Sequence, residues 1–108
     1  MRLLPALLFF LIFIQTAGAQ VLVVELKDTI TSASDEIVSE ALDNARVENA
    51  QAMIIVLDTP GGGLDVTKSI IEHIDGSPVP VIGYVYPKGA TAWSAGTLIL
   101  LGTDIAEP

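Results

Sequence analysis

Apolar residues along this chain fall into two kinds of run. Val21-Leu22-Val23-Val24-Glu25-Leu26 and Met53 to Leu57 are short and rich in branched side chains, which predicts buried strands. Pro80 to Tyr86 predicts a third strand, its proline at the start where a missing amide hydrogen is tolerated. Between them, Ile37, Val38, Ala41, Leu42 and Ala45 recur at helical spacing, as do Val66, Ile70, Ile71 and Ile74. Thr29 to Asp35 reads as a polar turn in which Ser32 and Asp35 fit a capping box, opening a helix that runs to about Glu48. Gly76-Ser77-Pro78 closes the second helix, and Ala90 to Leu101 reads as a buried third helix with Ser94 near its front. From Asp104 another strand is beginning. Strands alternating with helices predict an α/β fold of parallel strands joined by right-handed helical crossovers.

The first nineteen residues stand apart from that pattern. Met1-Arg2 is followed by an apolar run from Leu3 to Ile14 and by Gln15-Thr16-Ala17-Gly18-Ala19, the form of a secretory signal peptide cut after Ala19. Twelve apolar residues at about 1.5 Å each are too short for a hydrocarbon core of roughly 30 Å. The mature chain, residues 20–108, is then expected outside the cytoplasm. With a strand only starting at its end, it reads as the incomplete amino-terminal part of a domain.

Composition removes whole classes of function. The chain has 108 residues, 51% of them hydrophobic and 17% charged, which is incompatible with intrinsic disorder. With no cysteine there is neither a disulfide framework nor a thiolate metal site. A net charge of -8, without any cluster of Lys or Arg, argues against nucleic acid as a partner.

Candidate chemistry lies at two glycine-bearing turns, both at carboxyl ends of predicted strands, where parallel α/β sheets place their ligands. Asp58-Thr59-Pro60-Gly61-Gly62-Gly63 leaves amide hydrogens uncovered by side chains and suits an oxyanion or a phosphate, although a plain tight turn has the same composition. Neither dinucleotide nor P-loop spacing is present. Gly89-Ala90-Thr91-Ala92-Trp93-Ser94-Ala95-Gly96 sets one hydroxyl among small residues at a helix entrance, where a serine is either a cap or a nucleophile. Amide donors from one turn and a serine from the next are the parts of an acyl-transfer site.

Leu57 to Gly63, Ser77-Pro78-Val79-Pro80-Val81, Tyr84 to Ala90 and Ala92-Trp93-Ser94-Ala95-Gly96, in that order, resemble the NfeD family, and within it the amino-terminal domain of membrane-bound, ClpP-class serine proteases. The likeness runs from Val21 to about Ile105. It implies a ClpP/crotonase-like fold and a serine-lysine endopeptidase in which Ser94 is the nucleophile. The amides of Gly61, Gly62 and Ala95 would form the oxyanion hole, with Gly62 the preferred first donor. It further implies a base lysine some tens of residues past Ser94, beyond this chain, so that the 108-residue piece is inactive alone. Apolar segments of membrane proteins as substrates, a stomatin-like partner, assembly into at least a dimer, and no requirement for metal or other cofactor follow from the same resemblance. Glu107-Pro108 departs from the Met-Ala-Pro-like run that family members carry there, which leaves the pairing of the last strand open.

Other residues have blander roles. Lys88, in an exposed-looking Pro-Lys-Gly loop, lacks the burial that brings a lysine pKa down from about 10.4 toward neutrality. His73 is read midway along the second helix, as a surface or boundary residue. Asp58 is read as fixing the glycine turn by accepting backbone protons, and Trp93 as core or a substrate wall. A non-catalytic binding or scaffold domain and a crotonase-type acyl-thioester enzyme are the alternatives from other functional classes.

Overall fold

The computed structural model describes residues 18–107. Most of the expected signal peptide, residues 1–17, therefore lies outside the described residues. Four parallel strands, β1 (Val21–Lys27), β2 (Ala52–Asp58), β3 (Val81–Val85) and β4 (Ile105–Glu107), form one sheet in the order β1-β2-β3-β4. Helices α1 (Ser32–Val47), α2 (Leu64–Asp75) and α3 (Ala95–Gly102) make the three crossovers. The fold is the predicted α/β arrangement of parallel strands joined by helical crossovers. The carboxyl-terminal strand does pair, with Ile82 opposite Ile105 and Gly83 opposite Ala106.

The alternation of strand side chains decides where the core sits. Val24 and Leu26 of β1, Met53, Ile55 and Leu57 of β2 and Val81 of β3 point to one face and are buried against Val38 and Leu42 of α1, Ile70 and Ile74 of α2, and Ala95 and Ile99 of α3. The register places Val23, Ile54, Ile82 and Ile105 in one row on the other face, where Val23 and Ile105 are exposed.

Two local expectations are corrected. The cap of α1 is Thr31, one residue earlier than the Ser32 of the predicted box, and Ser34 rather than Asp35 closes it. The Thr31 amide donates to Ser34 Oγ at 3.0 Å, and the Ser34 amide donates to the Thr31 carbonyl at 2.9 Å. Burial explains the choice: Ser34 is buried under the helix, whereas Asp35 is free to turn toward α2. Ser34→Ala strands the Thr31 amide and should cost about 1 kcal/mol, read as a lowered urea midpoint at unchanged slope.

The third helix also starts later than Ala90. Residues 91–93 are held extended by β2, because the Thr59 amide donates to the Thr91 carbonyl at 2.7 Å and the Trp93 amide to the Thr59 carbonyl at 3.1 Å. Helical geometry begins only at Ala95, and α3 is half exposed: Ala95, Gly96 and Ile99 are buried, while Leu98 and Leu101 face outward.

Candidate active site

The glycine bend leaves β2 at Asp58 and returns into α2 at Leu64, while the serine turn leaves β3 and enters α3. Both lie at carboxyl ends of neighbouring strands, and the fold brings them into contact. A side-chain carbon placed on Gly61 would lie 2.9 Å from Ser94 Cβ, 3.2 Å from the Trp93 carbonyl oxygen and 3.3 Å from the Ala95 nitrogen. Gly61 has φ +120, a conformation open chiefly to glycine, so the bend touches the serine turn backbone to backbone.

Gly62 makes the second close approach. Its absent side chain would fall 2.1 Å from the Ile30 carbonyl oxygen, because residues 30 and 62 form an isolated parallel bridge. The Ile30 amide donates to the Gly61 carbonyl at 2.9 Å, and the Gly63 amide donates to the Ile30 carbonyl at 3.2 Å. Ile30 lies in the predicted polar turn, yet it is 1% exposed and anchors the bend to the loop after β1.

Ser94 caps α3 at φ 50 and ψ -113. A residue with a Cβ costs about 1–3 kcal/mol in such a region and persists only where its surroundings enforce it. Here the enforcement is visible. The Trp93 amide is held by Thr59, Thr97 Oγ1 donates to the Ala92 carbonyl at 2.6 Å, and the Ser94 carbonyl accepts the amides of Thr97 and Leu98. The side chain of Ser94 is exposed and caps nothing.

The Gly61 amide donates to Thr59 Oγ1 at 3.1 Å, so Gly61 supplies the close approach, and its N–H is taken. Among the described residues, the amides of Gly62 and Ala95 donate to no protein acceptor. Ala95 is the first residue of α3, where an unpaired N–H is intrinsic to helix geometry and the helix dipole favours negative charge.

The other singled-out residues fall elsewhere. Asp58 accepts a backbone proton from Thr91, at 3.2 Å, and thereby ties the serine turn rather than the glycine turn for which it was predicted. His73 stands in the last turn of α2, later than the midpoint assigned to it, with Nε2 3.2 Å from Asp35 Oδ1. Asp35 also accepts from Ser69 Oγ at 3.0 Å, so this cluster joins α1 to α2. Lys88 is exposed in its loop, and Trp93, 65% exposed, is not core. Among the described residues no group of three His, Asp or Glu could hold a metal ion.

Sequence reasoning gave no role to Thr59, which is completely buried between the two turns. The available signal was a hydroxyl directly following a strand and preceding Pro-Gly, a position where Ser and Thr bond the backbone two residues on.

Comparison with known proteins bears on the family and the fold. The family described as NfeD1b, N-terminal domain, matches residues 20–106. The membrane-bound protease PH1510 of Pyrococcus horikoshii is 46% identical over 85 residues, covering 79% of this chain and 19% of its own length. A solved mutant of the 1510-N membrane-bound stomatin-specific protease superposes with TM-score 0.81 at 44% identity, over 85% of this chain and 45% of that one. A second mutant of that protease, in complex with a substrate peptide, gives 0.80 at 45% identity, over 85% and 42% of the two chains. A ClpP1 mutant from Listeria monocytogenes, at 24% identity and TM-score 0.59 over 75% and 46%, shares the fold. The chain thus spans about a fifth of the curated relative and less than half of the solved ones.

Proposed function

The chain belongs to the NfeD family, as its NfeD1b N-terminal domain, and on that premise we propose that it carries the nucleophile and oxyanion donors of a membrane-associated serine endopeptidase. The observation that carries this reading is the packing of Gly61 on Ser94, beside two backbone amides that have no acceptor of their own. Ser94 Oγ attacks the peptide carbonyl carbon as its proton passes to the amine of a lysine beyond residue 108. The tetrahedral oxyanion is held by the amides of Gly62 and Ala95. Collapse expels the amine product, which takes up the proton, and water then releases the acyl group from Ser94. One oxyanion donor of this kind contributes about 3 kcal/mol of transition-state stabilisation.

The substrates are apolar segments of membrane proteins, with a stomatin-like protein as partner; support comes from the similarity to a protease named as stomatin-specific. The protein works outside the cytoplasm, as a dimer or larger assembly. No helix among the described residues is long and apolar enough to cross a membrane. Neither metal nor nucleotide enters the chemistry.

A serine-directed phosphonate tests the reading. It should label the full-length protein at Ser94, seen as the adduct mass on the peptide containing that residue. Failure to label would favour a scaffold domain that retains the fold without the chemistry.

A further inference from the structure

Resting on the reading of Ser94 as nucleophile, we infer that Thr59 is a positioning residue whose hydroxyl aims the Gly62 oxyanion donor. Thr59 directly follows β2 at the start of the bend, and it is 0% exposed. Its hydroxyl accepts the Gly61 amide at 3.1 Å and donates to the Gly61 carbonyl at 3.3 Å. Ile30 holds the same carbonyl from its other side, at 2.9 Å. The Gly61 carbonyl and the Gly62 N–H belong to one trans peptide unit, so they point in opposite directions. Pinning the carbonyl toward Thr59 and Ile30 therefore turns the Gly62 N–H away from both. A glycine-glycine peptide has little else to stop it from rotating.

The same residue fixes the other half of the site. The Thr59 amide and carbonyl clamp Thr91 and Trp93, and its carbonyl also accepts from Thr91 Oγ1 at 3.3 Å. Its methyl lies 2.7 Å from where a side chain on Gly96 would begin, so α3 is seated directly on it. The backbone of Thr59 sets the serine turn and its hydroxyl sets the glycine peptide. Only the second role depends on the oxygen atom.

That separation makes the inference testable in the full-length protein with an apolar fluorogenic peptide. Thr59→Val keeps the methyl and the backbone clamp but removes the hydroxyl. It should lower kcat by about tenfold or more, leave KM within about twofold, and slow phosphonate labelling of Ser94 in parallel. Thr59→Ser restores the oxygen and should hold kcat within about threefold of wild type, despite the lost methyl. A Thr59→Val enzyme with wild-type kcat overturns the inference. So does a Thr59→Ser enzyme that loses as much as Thr59→Val, since any change at this packed position, with or without the hydroxyl, would then disable the site. If Thr59→Val does not fold, Thr59→Ser decides alone: retention of kcat supports the hydroxyl's role, and a loss beyond about tenfold refutes it. Wild-type protein left unlabelled by the phosphonate removes the protease reading and this inference together, whereas labelled wild type with unaffected Thr59→Val removes this inference only.

Discussion

Ser94→Ala in the full-length protein is expected to reduce peptide cleavage by on the order of 10⁵-fold or more, the scale of removing the nucleophile from a serine protease. Stability should move by no more than about 0.5 kcal/mol. The two halves of this expectation come from different observations. The loss of rate follows from the proposed role of Ser94: even with the proposed oxyanion donors of Gly62 and Ala95 in place, no atom is left to form the acyl-enzyme. The unchanged stability follows because the Ser94 side chain is exposed and caps no helix amide. Alanine also keeps a Cβ at φ 50, so the strain of the turn is retained on both sides of the comparison. Cleavage at the wild-type rate would eliminate Ser94 as nucleophile. A large fall in melting temperature would instead mean that the serine is structural.

Among the glycines of the described residues, Gly62→Ala should be the most destabilising, by roughly 3 kcal/mol or more, since overpacking against backbone has no soft side chain to move. The new carbon would fall 2.1 Å from the Ile30 carbonyl oxygen and 2.7 Å from the Ile30 nitrogen. Relief requires the bend to separate from the loop after β1, which breaks the two hydrogen bonds of the bridge between them. Gly63→Ala, one residue on, is the control: its carbon meets only the Val66 side chain, at 3.8 Å and 4.0 Å, and should cost within about 1 kcal/mol. Equal urea midpoints for the two variants would contradict the packing described for the bend.

Much of this was legible without coordinates. The three long strands follow from short apolar runs, the first two helices from the period of apolar residues and the third from its small and apolar composition, because burial repeats with the geometry of the element that carries it. The two turns declared themselves through glycine, and the order of elements placed both at strand ends. Boundaries were less legible where a tertiary bond competes with local preference. Ala90 to Trp93 has a helix-compatible composition, but Thr59 and Asp58, more than thirty residues earlier, hold residues 91–93 extended. Ser32 and Asp35 have the right spacing for a capping box, yet burial of Ser34 and the Ser69 and His73 partners of Asp35 moved the cap to Thr31.

Local pattern alone thus determined the α/β class, the parallel strands and the two candidate turns, since hydrophobic period and glycine content are properties of a few adjacent residues. Which amide hydrogens are free was a tertiary decision. Gly61 and Gly62 are indistinguishable as letters. They differ because Thr59 takes the N–H of Gly61, while Ile30 and Thr59 together hold its carbonyl and so turn the Gly62 N–H aside. A peptide plane takes its orientation from whatever binds its two ends, and here those groups lie on other loops.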